Sequence, residues 1–207
     1  MFPRANILAA LFAALALCTP LLGGCGKSAP TRFYTLAPMP LSQDAPEAQG
    51  GQAGQPCRSL GIGPVDFPPY LDRNQIVTQN GSHQMHVADF AQWIEPLQDN
   101  FKRTLIADLA GITCGKPLVL FPWPAGVRPD VQVAIQVRRF DGELGGEAVL
   151  QADWSVLDSA GQALAWETTQ LKETPAGPDY AQLASAQSRL VARLAQAIAL
   201  KITGLKP

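Results

Sequence analysis

Histidine is scarce in this 207-residue chain, with only His83 and His86 present. That removes most routes to imidazole acid–base chemistry and to histidine-bound metal. The two stand three positions apart in a hairpin segment, where i and i+3 face opposite ways. Only Asp89 is near as a third ligand, so no metal centre is expected. Nucleotide and hydrolase signatures are absent too. Gly61-x-Gly63 lacks the third glycine of a dinucleotide loop, Pro64 follows at once, and no Gly-Lys-Ser/Thr or Gly-x-Ser-x-Gly occurs. Charge is thin and balanced, at 16 basic against 17 acidic residues, with no basic run, which argues against nucleic acid. Asp141, Glu143 and Glu147 sit in a glycine-rich segment and read as a solvated turn. No catalytic residue is expected.

What the chain does have begins at its N-terminus. Arg4 precedes an unbroken apolar run, Ile7–Leu17, of about 11 residues, which suits a secretion signal and falls short of the roughly 20 needed to span a bilayer. Leu21-Leu22-Gly23-Gly24-Cys25 follows and resembles the lipobox of bacterial lipoproteins. The resemblance implies removal of residues 1–24 and acyl chains on Cys25, with no other cofactor. Several chains make an effectively permanent membrane anchor. In enterobacterial lipoproteins an aspartate after the cysteine retains the protein at the inner membrane. Gly26 in its place points to the periplasmic face of the outer membrane. Residues 25–31 form a short tether, since six residues reach roughly 20 Å at full stretch.

Of four cysteines, Cys18 leaves with the signal and Cys25 is acylated. Cys57 and Cys114 remain in an oxidising compartment. Each shortly precedes a strand, Leu60–Val65 and Leu118–Phe121. A disulfide is expected, contributing about 4 kcal/mol in the chain-entropy treatment. Two separate buried thiols are the alternative.

Residues 32–207 have the length of one domain. A Pro/Gly/Gln/Ala segment at about 37–56 cannot bury enough apolar surface to order itself and reads as a mobile loop. Gln75–Gln79 and Gln84–Val87 flank Asn80-Gly81-Ser82, a hairpin signal. Val131–Phe140, Ala148–Leu157 and Gln162–Lys172 alternate as an antiparallel meander. Pro96–Ala110, ended by Gly111, carries an apolar stripe at helical spacing. So does Asp179–Thr203, with Asp179 and Gln182 as a capping box. The expected fold is α+β, a mainly antiparallel sheet with both helices on one face.

Three segments stand out: Phe33-Tyr34-Thr35-Leu36; Gly61-Ile62-Gly63-Pro64-Val65 running through Pro68, Tyr70, Leu71, Asp72 and Arg73 to Gln75-Ile76-Val77; and Trp93-Ile94-Glu95-Pro96-Leu97. Together with the lipobox they resemble the ABC-type transport auxiliary lipoproteins, the PqiC/YmbA family. The resemblance implies an accessory role in lipid traffic between two membranes, beside an MCE-domain protein that the lipoprotein docks. Partner contact is expected on Pro68, Tyr70, Leu71, Asp72 and Arg73, because Pro68 and Pro69 present that block rigidly and so lower the ordering cost of binding. A homo-oligomer is left open. The other readings are a lipid-carrying lipoprotein, which needs a closed apolar cavity, and a lipoprotein cofactor of a cell-wall enzyme.

Overall fold

Side-chain periodicity sets which segments become strands and helices; their partners are set by long-range packing. The computed structural model describes residues 28–39, 57–114 and 117–205. The signal segment, Cys25 and most of the loop expected at 37–56 lie outside the described residues. The elements below belong to the compact unit that begins at Thr31.

In chain order they are β1 (Arg32–Tyr34), β2 (Leu60–Asp66), β3 (Gln75–Asn80), β4 (Gln84–Trp93), α1 (Leu97–Ile112), β5 (Leu118–Leu120), β6 (Val131–Gly142), β7 (Ala148–Asp158), β8 (Ala163–Glu173) and α2 (Tyr180–Gly204). The fold is α+β. The strands divide between two sheets, ordered β1-β4-β3 and β5-β2-β6-β7-β8. The β3–β4 hairpin and the β6-β7-β8 meander are antiparallel, whereas β1–β4, β2–β5 and β2–β6 pair in parallel. The longest ladders are the antiparallel ones of the meander.

Val131, Val133, Ile135, Val137 and Phe140 of β6 are buried, as are Leu150, Ala152, Trp154 and Val156 of β7. The two helices cover this face and each other: α1 packs on β2 and β5, and α2 on β6, β7 and β8. Leu97, Phe101, Leu105 and Leu109 of α1 meet Leu190, Val191, Leu194 and Ile198 of α2 in one core. Phe67, Phe101 and Phe140 close it with edge-to-face contacts, their ring centroids 5.2–6.2 Å apart. Asp179 caps α2, its carboxylate accepting from the Gln182 amide at 2.8 Å. Gly111 does not end α1. The helix runs to Ile112, where the Thr113 hydroxyl and amide both donate to the Leu109 carbonyl.

Cys57 and Cys114 are joined in a disulfide with Cα atoms 5.5 Å apart. The parallel register of Leu60 with Leu118 explains why the preceding residues meet. The glycines of β2 have a packing role. A Cβ on Gly61 would stand 2.6 Å from the Trp123 ring, and Gly63 has φ +122° against the Phe121 side chain.

The first residues of the 37–56 segment are held down. Ala37 and Met39 donate backbone N–H bonds to Ser188 Oγ of α2 and Asp108 Oδ1 of α1, at 3.2 and 2.9 Å. Asp108 is buried and its Oδ2 has no partner among the described residues. Burial pushes its carboxyl up to about 6, with the Met39 N–H pulling the other way. The native state therefore holds the proton more tightly than the unfolded chain. Stability is favoured at low pH and falls as pH rises from about 4 through 6. Asp108→Asn keeps the acceptor and removes the buried charge. It should stabilise the protein by about 1–2 kcal/mol above pH 7, in urea melts, with the gain vanishing near pH 4.

Candidate docking cleft

Pro68 and Pro69 shape the start of the site. Consecutive prolines favour extended backbone. Pro68 is extended (φ −67°, ψ 141°), but Pro69 opens a 3₁₀ turn, Pro69–Leu71. A helical first position suits proline, whose missing N–H is not needed there. Leu71 N–H donates to the Pro68 carbonyl and Asp72 N–H to the Pro69 carbonyl, at 3.0 and 3.1 Å.

The turn splits the block. Leu71 goes inward, 4 % exposed, while Asp72 and Arg73 face solvent. Neither charged residue makes an ion pair among the described residues. Tyr70 points the other way, its hydroxyl donating to Asp141 Oδ2 at 2.7 Å. Burial, then the Asp141 hydrogen bond, raises the phenol well above its ordinary range. Tyr70 therefore holds the turn to β6 and leaves the outward contact set.

Asp141 corrects the reading of a solvated turn: it is 2 % exposed. Arg139 Nε donates to its Oδ1 at 2.8 Å, and the same guanidinium reaches Gln79 of β3. This network ties the turn, one sheet and the other sheet together. A bulge in β6 between Val137 and Arg139 produces it by turning Arg139 and Asp141 onto the outer face. The sequence signal was present: the buried apolar positions step from Val137 to Phe140, three residues rather than two.

Beside Leu71, Asp72 and Arg73 opens a cleft of about 850 Å³. Asn74, Gln75, Gln92 of β4 and the entrance of α1, Pro96–Asp99, also line it. Gln98 Nε2 donates to the Val65 carbonyl at 2.5 Å and holds that entrance to β2. Most of the lining side chains are amides or charged groups, and the cleft is open to solvent.

All three distinctive segments converge here. Trp93 N–H donates to the Asn74 carbonyl at 2.7 Å and Ile94 N–H to the Tyr34 carbonyl at 2.9 Å. Asn100, fully buried, accepts from Leu36 N–H at 2.7 Å and donates to Thr35 Oγ1 and to Glu95. The Asn100 amide, then the Arg103 guanidinium, hold the Glu95 carboxyl below its usual range. Glu95 and Asn100 thus lock the Phe33–Leu36 segment to the entrance of α1. Trp93 is core, 4 % exposed.

His83 and His86 are both exposed, at the hairpin turn and on β4. Among the described residues no three metal-ligating side chains gather. No helix among them is long and apolar enough to cross a membrane.

The family model of the ABC-type transport auxiliary lipoprotein component matches residues 34–199. The intermembrane transport lipoprotein PqiC of Escherichia coli K12 is 26% identical over 143 residues, which is 69% of this chain and 72% of PqiC. The solved structure of protein XCC0632 from Xanthomonas campestris superposes with TM-score 0.68 at 18% identity, covering 84% of this chain and 97% of that one. A second crystal structure, of an uncharacterised protein, gives TM-score 0.67 at 22% identity, covering 84% and 99%. These two show the same fold.

Proposed function

The chain belongs to the ABC-type transport auxiliary lipoprotein components, and from that premise we propose that it is anchored by acyl chains on Cys25 to the periplasmic face of the outer membrane and docks an MCE-domain protein in an intermembrane lipid transport system. Relatedness to PqiC, an intermembrane transport lipoprotein, supports the process. The cleft supports docking as the mode of action. It is open and walled by Asp72, Arg73, Gln75, Gln92, Gln98 and Asp99, which suits a polar protein surface and would leave an acyl chain among unpaired polar groups. A lipid carrier needs the reverse, an enclosed apolar cavity. The core between helices and sheet is instead filled by the side chains of one buried cluster.

Asp72 and Arg73 carry the proposed contact, because they are outward, free of ion pairs among the described residues, and fixed on a turn whose other side is bonded to Asp141. A contact presented rigidly loses less entropy on binding. Asp72→Ala/Arg73→Ala should leave the melting temperature within a degree or two of wild type and weaken pull-down of the periplasmic part of the MCE-domain partner about tenfold or more. Unchanged pull-down by folded double variant would remove the cleft from the proposal. Phospholipid co-purifying in equimolar amount would favour the carrier reading.

A further inference from the structure

The outward face of the β1–β4 pair carries an apolar patch that docking at the cleft does not use. Along the end of β4, Ala91 and Trp93 are buried, while Phe90 is 45% and Ile94 60% exposed. Gln92 lies midway between them in the chain and is half-buried. The parallel register sets Phe33 of β1 beside Gln92, and Phe33 is 58% exposed. Three large exposed apolar residues thus neighbour one glutamine, Phe33 across the ladder and Phe90 and Ile94 two positions away along the chain, where scattered single ones would be ordinary. Among the described residues β1 is also the edge of its sheet, and no further strand of theirs covers Phe33 from that side.

Chain chemistry says what lies opposite. Phe33 follows Cys25 by eight residues, a span of at most roughly 28 Å at full extension. If Cys25 is acylated, Phe33 cannot leave the neighbourhood of the bilayer surface. The acyl chains fix the distance but leave orientation free. We infer that Phe33, Phe90 and Ile94 rest in the interfacial layer of the phospholipid membrane and set the orientation of the domain on it. The inference rests on the proposed acylation of Cys25. It adds a consequence for docking. Gln92 belongs both to the patch and to the cleft wall, so a membrane-seated patch holds the cleft mouth along the bilayer surface, where an incoming transport protein delivers or collects lipid.

The test uses the full-length lipoprotein as it matures in cells, reconstituted in phosphatidylethanolamine–phosphatidylglycerol vesicles doped with a diazirine-bearing phospholipid. After illumination, adducts are mapped by mass spectrometry. Peptides with Phe33 and with Phe90–Ile94 should carry several-fold more adduct than those with Trp166 or Leu200, although these last are each 75% exposed. The variant Phe33→Ser/Phe90→Ser/Ile94→Ser should lose the preference; if it fails to fold, the wild-type pattern still decides. Even labelling, or strongest labelling at Trp166 or Leu200, overturns the inference. So does a patch left unlabelled. The intact mass of the same preparation separates the two layers: acylated protein with even labelling refutes the orientation alone, whereas protein without acyl chains refutes the anchor and the orientation with it.

Discussion

Asp141→Ala should destabilise the protein by about 3–5 kcal/mol, read as a lower urea midpoint. The carboxylate is buried, accepts from Arg139 and Tyr70, and is the point where the Pro69–Leu71 turn is fastened to β6. Its removal leaves the phenol hydroxyl without its acceptor and takes the counter-charge from a half-buried guanidinium that keeps only Gln79. Tyr70→Phe removes only one donor and should cost about 1–2 kcal/mol. The order of the two variants distinguishes a charge-centred network from a lone hydrogen bond. Asp141→Ala should also loosen Asp72 and Arg73, so it should weaken partner binding without touching the partner.

Asn100→Leu should cost about 3 kcal/mol, although leucine is the more apolar residue. Asn100 is fully buried and serves two segments: Leu36 through its carbonyl oxygen and Thr35 through its amide in one, Glu95 through the same amide in the other. Leucine leaves the buried Leu36 N–H without its acceptor, and a buried donor without a partner costs more than the added apolar area returns. Hydrogen exchange should localise the damage, with the Leu36 amide losing protection first. Uniform loss of protection across α1 and α2 would instead mean that Asn100 serves the core in general.

Local pattern carried far in this protein. The Asn80–Gly81 hairpin, the alternation of β6 and β7 and the stripes of both helices follow from side-chain periodicity and turn chemistry, which neighbouring residues determine. Parallel pairing was not legible, because β1 finds β4 and β2 finds β6 across long stretches of chain, and a strand's own residues do not name its partner. The same gap hid the division into two sheets. At the cleft, the segment Pro68–Arg73 could be read as distinctive, but its division could not. Tyr70 and Leu71 turn inward to opposite sides because Pro69 begins a helical turn, and only Asp72 and Arg73 emerge. Asp141 was misread because the glycines that follow it made the strand seem to end at Phe140, whereas β6 runs on to Gly142. One inserted residue in β6 moves an acidic side chain from an apparent solvated turn into the network that holds the site.

The docking account is tested most directly by a photocrosslinking amino acid placed at Arg73 in cells that carry the whole transport system, with the same group at Trp166 of β8 as the control. The account predicts a covalent product between position 73 and an MCE-domain protein, identified by mass spectrometry, and none from position 166. A product from position 166 with none from position 73 would contradict it.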